Sequence, residues 1–264
     1  MDLKIRQKAR VLRITLSRAA KRNALTSEMC SAIVKAVDSV QNAKDVGSIL
    51  IDAEGHVFSA GMDLEEATRK AGDRRLAVHE KLFTLGSNSL KPIVMSVAGH
   101  ALGGGFGLVA QGHVVIAAEG SLFGLTEIRI GLWPFVVYRA VEAAIGARRT
   151  QELALTGRLI STEHALQCGL VHQISPPAEI AERAEVMAND LARCSPEAIK
   201  LGMRYVRDSR GKTWAKAGEL ANVERARLFA SPDFAEGVAA FKEKREPRWP
   251  SMPKNFYSES NPQK

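Results

Sequence analysis

From Pro92 to Ala118 the chain carries no Asp, Glu, Lys or Arg. An uncharged run of that length either spans a membrane or forms the buried heart of a domain. This run opens on proline and contains six glycines, together with His100, Gln111 and His113. Glycine and proline at that density divide an apolar stretch into short elements. It therefore reads as strand, glycine-rich turn, helix and strand inside a water-facing protein, with no membrane partner. A chain of 264 residues, 45% apolar and 25% charged, is long enough to bury such a segment without disulfide or metal staples.

Around this core the pattern separates into two regions. Val11–Leu16, Ser48–Asp52, Ile93–Val97 and Val114–Ala118 read as strands. Between the first two, Met29, Ile33, Val37 and Val40 recur on one face of a helix that Thr26 or Ser27 can cap. Such alternation predicts an α/β core with parallel crossovers. Beyond Pro134 the pattern is almost wholly helical, over 147–156, 161–167, 177–194, 196–208, 212–230 and 232–244, with Leu170–Ile174 as a strand. The expected organisation is a catalytic core over 1–195 and a helical region over 196–264 that packs on the core and on neighbouring subunits. Cys30, Cys168 and Cys194 are odd in number and form no C-x-x-C, so reduced, buried thiols are expected. Residues 1–10 have no secretory-type apolar core, which together with the thiols points to the cytoplasm.

The usual chemical signatures are missing. The sequence has no phosphate-loop motif, no H-E-x-x-H and no G-x-S-x-G, and its six histidines lack ligand spacing, so no metal is expected. Two glycine turns are more telling: Phe58-Ser59-Ala60-Gly61-Met62-Asp63-Leu64, and the segment from Ala98 to Leu108 with Gly103-Gly104-Gly105 at its centre. Each leads from a strand into a helix, where backbone N–H groups lack intrahelical acceptors and favour negative charge. Two such donors aimed at one point make an oxyanion hole. Either turn alone is ordinary strand-to-helix punctuation.

Taken in order with Lys21-Arg22-Asn23-Ala24-Leu25 and Phe123-Gly124-Leu125-Thr126-Glu127-Ile128, these segments resemble the crotonase superfamily, the enoyl-CoA hydratase/isomerase family. Gly237–Arg245 is similar to that family's final helix, so the resemblance runs from about Ile5 to Pro247. It implies an α/β crotonase-like spiral of repeated ββα units with a helical C-terminal region, assembled as a homotrimer or dimer of trimers. It implies an acyl-CoA substrate, with coenzyme A as part of the thioester and no separate cofactor. The thioester oxygen would lie between the amides of Met62 and Gly104. Lys21, Arg22, Ala24, Ala60, Asp63 and Leu64 fall where relatives contact coenzyme A, and Gly103, Gly107, Thr126 and Pro134 line the same site. The formal net charge of +8 suits an anionic ligand, with Lys21 and Arg22 facing its phosphates.

Hydratases of the family carry two water-activating glutamates. Here the second is present as Glu127, and the first is replaced by Gly107. Moving a double bond from C3–C4 to C2–C3 needs only one base, which takes a proton from C2 and returns it to C4. A 3-enoyl-CoA isomerase with Glu127 as proton shuttle is therefore favoured. Leu125, Ile128, Ile130, Leu132 and Trp133 are its expected apolar company and would raise its pKa. The alternative is a 2-enoyl-CoA hydratase in which Glu142 or Asp63 supplies the second carboxylate. Glycine at 107 is further expected to leave extra room beside the acyl group. An RNA-binding role is least favoured: Arg69-Lys70, Arg74-Arg75, Arg148-Arg149 and Lys242–Arg248 are short, separated and without interleaved aromatics.

Overall fold

Alternate residues of the apolar strands face opposite sides of one sheet, and each side is covered differently. The computed structural model describes residues 2–68, 73–254 and 256–259. Its strands are β1 (Leu3–Lys8), β2 (Val11–Leu16), β3 (Ser48–Ala53), β4 (Val57–Ser59), β5 (Ile93–Val97), β6 (His100–Leu102), β7 (Val114–Ala118), β8 (Leu122–Gly124), β9 (Ile160–Ser161) and β10 (Gln173–Ser175). One sheet has the order β1-β2-β3-β5-β7-β10 and is parallel except for the β1–β2 hairpin. The other has the order β4-β6-β8-β9, with β8 and β9 antiparallel.

Successive units β3-β4, β5-β6 and β7-β8 each give one strand to either sheet and are followed by helical turns. This is a mixed α/β architecture of repeated ββα units. Ile14, Ile49, Ile51, Ile93, Met95, Val97 and Val115 point into the main core with helix Ser27–Ser39. Val11, Leu50, Val94 and Ile116 point the other way, against Ala184, Ala188 and Ala192 of helix Ile180–Arg193. Alanines at four-residue spacing let that helix lie close; a Cβ on Gly47 would come within 2.8 Å of Ala192 Cα.

Expected strands 11–16, 93–97 and 114–118 match the observed ones, and 48–52 extends by one residue. Thr26 is the helix cap, its hydroxyl accepting from Met29 N at 3.2 Å. The Leu170–Ile174 expectation is corrected to Gln173–Ser175. The amides of Leu170 and Val171 both donate to the Ala165 carbonyl and close the preceding helix instead of joining the sheet. Cys30 and Cys168 are buried, but Cys194 is exposed, because it lies just past the end of helix Ile180–Arg193.

Helices Pro196–Ser209, Trp214–Phe229 and Pro232–Glu243 form the C-terminal region. Buried Asp233 ties it together, accepting from Ser195 Oγ and Ser251 Oγ (both 2.6 Å) and Ser251 N (2.9 Å). Among the described residues no helix is long and apolar enough to cross a membrane.

Candidate active site

Strands β4, β6 and β8 are parallel neighbours, and the residues that matter follow their C-terminal ends. Met62 comes after β4, Gly104 after β6 and Glu127 after β8. In parallel sheets this end is where chain crossovers leave room for a ligand.

The first turn is held by its neighbour in space. Leu25 N donates to Gly61 O (2.8 Å), and Asp63 N donates to Leu25 O (3.0 Å), so Leu25 bridges Met62 in parallel fashion. Ala60 N donates to Arg22 O at 2.9 Å. Segment 21–25 thus runs beside 60–64, bringing Lys21, Arg22 and Ala24 alongside Ala60, Asp63 and Leu64. Gly61 has φ +101°, and a Cβ there would press within 3.0 Å of Leu102 O and 3.3 Å of Gly104 N. Only glycine allows both that dihedral and that approach.

The two glycine turns consequently lie against each other, with the Met62 and Gly104 backbones close together. A Cβ built on Gly104 would sit 3.4 Å from Met62 N and 3.2 Å from Met62 Sδ. Among the described residues neither amide has a hydrogen-bond acceptor: the Leu25 bridge uses Gly61 O and Asp63 N, and Gly104 begins helix Gly104–Val109. Two backbone donors without acceptors therefore lie close together at the start of this helix.

Glu127 is a near neighbour of these backbones. The chain turns into a short 3-10 helix, Glu127–Ile130, and the carboxyl lies over Gly103: a Cβ there would be 3.0 Å from Oε1 and 3.3 Å from Cδ. Gly103 has φ +52°. Glu127 Oε2 is buried without a hydrogen-bond partner. Burial pushes this carboxyl above the ordinary glutamate range, opposed in part by its own backbone N–H. The expected drying agents need correction. Ile128 and Ile130 of the 3-10 turn and Leu132 just after it are exposed; of that group Leu125 is fully buried and Trp133 partly so. Thr126 precedes the 3-10 helix, and buried Pro134 precedes helix Phe135–Ile145.

The space expected over Gly107 is filled. A Cβ there would meet Val137 Cγ1 at 2.7 Å and Phe83 Cε1 and Cδ1 at 2.9 and 3.0 Å. The missing carboxylate leaves no void, because these two buried side chains occupy its place. Asp63 is already engaged as cap of helix Leu64–Ala67, accepting from Glu66 N (3.0 Å) and from Arg18 Nη1 (2.6 Å). Those bonds hold it below the usual carboxylate range. Glu142 pairs with exposed Arg139 at 2.6 Å on helix Phe135–Ile145.

The sequence reading gave no individual role to three residues that hold these turns together. Asn23, fully buried at φ +51°, accepts from Arg18 N and donates to Glu54 O and Val57 O, each at 2.8 Å. Ser59 Oγ donates to Asn23 O (2.8 Å) and accepts from Gly61 N (3.2 Å). Arg18 reaches Ala24 O as well as Asp63. Asparagine's tolerance of left-handed backbone was the one available signal.

Lys21 pairs with Glu65 at 2.9 Å, both exposed, an interaction weak enough for a ligand phosphate to displace. Of the other basic groups, Arg245 is bound to Glu236 and Glu243, Arg148-Arg149 are exposed, and Arg69-Lys70 lie outside the described residues, as do the side chains of Arg74-Arg75. Among the described residues no cluster of His, Cys, Asp or Glu is arranged to hold a metal.

The chain is similar to known proteins over most of its length. The family model described as enoyl-CoA hydratase/isomerase matches residues 6–252. The 2,3-dehydroadipyl-CoA hydratase of Escherichia coli K12 is 31% identical, over 93% of this chain and 97% of its own. Enoyl-CoA hydratase EchA19 of Mycobacterium tuberculosis is 29% identical, over 94% and 96%. The crystal structure of human enoyl coenzyme A hydratase domain-containing protein 3 superposes with a TM-score of 0.89 at 28% identity, covering 94% of this chain and all of that one.

Proposed function

The chain belongs to the enoyl-CoA hydratase/isomerase family, and from that premise we propose that it moves the double bond of a 3-enoyl-CoA to the 2-position. Coenzyme A would run along Lys21, Arg22, Ala24, Ala60, Leu64 and the main chain at Asp63. The thioester oxygen would rest on the Met62 and Gly104 amides. Glu127 takes the proton from C2, the amides stabilise the charge gathering on oxygen, and Glu127 returns the proton at C4. The observation that carries this reading is the pairing of one buried carboxyl, unpartnered at Oε2, with a Gly107 niche closed by apolar side chains. A carboxyl whose pKa is raised by burial is a better proton carrier near neutrality than an exposed one.

A second reading is favoured by the relatives' names: both curated relatives described above are named as hydratases. In that case this chain would hydrate a 2-enoyl-CoA with water held by Glu127 and a carboxylate not adjacent in the free structure. Crotonyl-CoA and a 3-enoyl-CoA assayed side by side separate the two. Under the isomerase reading Glu127→Gln lowers turnover of 3-enoyl-CoA by about 10²–10⁴-fold or more, with ester affinity changed little. A near-normal rate in that variant refutes the assignment. Assembly as a homotrimer or dimer of trimers belongs to the same proposal; Trp214, Phe229 and Phe241, exposed on the C-terminal helices, are apolar surface that such contacts would cover.

A further inference from the structure

Helix Gly104–Val109 presents its first amide to the proposed oxyanion site and, one turn on, presents Gly107. Residues three apart on a helix share a face, so whatever covers Gly107 borders the acyl group bound at Gly104. Phe83 ends helix Asp73–Phe83, and Val137 lies in the first turn of helix Phe135–Ile145. Both are buried, at 5% and 4% exposure, so neither side chain swings freely into solvent to make room. A Cβ on Gly107 would lie 2.7 Å from Val137 Cγ1 and 2.9 Å from Phe83 Cε1. Carbon atoms in favourable contact are about 3.5–4.0 Å apart, so even one added carbon requires these side chains to move.

We propose that Phe83 and Val137 are specificity-determining residues that decide between isomerisation and hydration, by closing the Gly107 side of the acyl site to water and to a second carboxylate. This rests on the reaction proposed above. Hydration forms a bond from water oxygen to C3 while a carboxylate takes one of the water's protons, shifts the C2=C3 electron pair toward the thioester oxygen, and then delivers a proton from a carboxyl to C2. It needs a water held beside C3. Isomerisation moves one proton from C2 to Glu127 and back to C4 while the double bond shifts, and it needs no water. With aromatic and aliphatic carbon over Gly107, the enolate has only Glu127 from which to recover a proton. The glycine and its two plugs are therefore one unit, and replacing the glycine alone does not restore a two-carboxylate site.

The test uses the full 264-residue chain in five forms: wild type, Gly107→Glu, Phe83→Ala, Phe83→Leu and the double variant Gly107→Glu/Phe83→Ala. Each is assayed for hydration of crotonyl-CoA and isomerisation of a 3-enoyl-CoA, and each is melted. Gly107→Glu alone is expected to lower the melting temperature by on the order of 5 °C through overpacking, without gaining hydration. In the Phe83→Ala background the same glutamate is expected to cost clearly less, and the ratio of hydration to isomerisation is expected to rise roughly tenfold or more. Phe83→Leu, which keeps most of the niche filled, is expected to shift the ratio less than Phe83→Ala does. Should the double variant not fold, Gly107→Glu/Val137→Ala is read the same way.

Equal hydration by Gly107→Glu alone and by the double variant overturns the proposal, because the niche would then be open. So does an unchanged product ratio in a folded double variant. A wild-type enzyme that hydrates and does not isomerise overturns the reaction proposed above as well. A wild type that isomerises, with a double variant whose ratio does not move, overturns only the role of Phe83 and Val137.

Discussion

Replacing Gly103 by alanine perturbs the candidate site through two separable effects. The first is backbone strain: Gly103 has φ +52° and ψ −121°, a region L-residues rarely enter, at a cost of about 1–3 kcal/mol. The second is contact. The new Cβ would stand 3.0 Å from Glu127 Oε1 and 3.3 Å from Cδ. Since carbon–oxygen contacts usually settle at about 3.3–3.6 Å, the carboxyl must retreat by roughly 0.3–0.6 Å. A 1 Å misplacement costs about 100-fold, so this displacement corresponds to roughly tenfold in kcat. For a chain of this size the strain should lower Tm by about 6 °C. KM for the CoA ester should change little, because segments 21–25 and 60–64 are untouched.

The assay follows conversion of 3-enoyl-CoA to the conjugated 2-enoyl-CoA by ultraviolet absorbance, with kcat and KM fitted separately. Gly120→Ala is the control: its φ is +78°, and a Cβ there meets nothing within 4 Å. It carries strain without contact and should lose stability but not kcat. A Gly103→Ala enzyme with wild-type kcat, or a loss of kcat shared equally by Gly120→Ala, would refute the placement of Glu127 over Gly103 as the source of the effect.

Three further outcomes follow from the structure. Asn23→Ala removes three buried side-chain hydrogen bonds at a left-handed residue; it should destabilise by about 3 kcal/mol in urea titration and raise KM for the CoA ester, since the 21–25 segment slackens. Asp233→Ala breaks three bonds that tie Ser195 and Ser251 to the C-terminal helices; about 3 kcal/mol should be lost, with limited proteolysis cutting first near Ser251. Glu127→Gln should show a stability difference that depends on pH. Burial raises the folded-state pKa of Glu127, so the wild type loses stability relative to the variant as pH rises from its unfolded value, about 4.3, through the raised folded value. Below both values the gap closes. Urea midpoints at acidic and mildly alkaline pH measure it, and a gap that widens toward acid would contradict the sign.

Much of the scaffold was legible because short continuous apolar runs, buried on both faces of the sheet, admit few readings once bounded by glycine and polar turns. Strand β1 was not picked out: only Leu3 is buried and the rest of Leu3–Lys8 faces solvent, so its register comes from pairing with β2 and not from its own pattern. Leu170–Ile174 looked like a strand because its composition is apolar, yet local closure on Ala165 consumed the first two amides. At the site, the motif positions of Met62, Gly104 and Glu127 could be named in advance. The drying of Glu127 was attributed partly to Ile128, Ile130 and Leu132, which are exposed in and just after the 3-10 turn.

The amino-acid sequence alone determined most of the core strands, the glycine turns, and the pairing of one candidate acid–base group, Glu127, with a glycine at 107. Only the tertiary structure decided that the three turns meet. β4, β6 and β8 lie side by side in parallel, so residues far apart in the chain emerge at the same sheet edge. It also decided what a glycine at 107 means. A residue without a side chain says nothing about its surroundings, and the atoms that fill its place belong to Phe83 and Val137, brought in by two other helices. The absence was visible in the sequence; whether it was a cavity or a wall depended on packing.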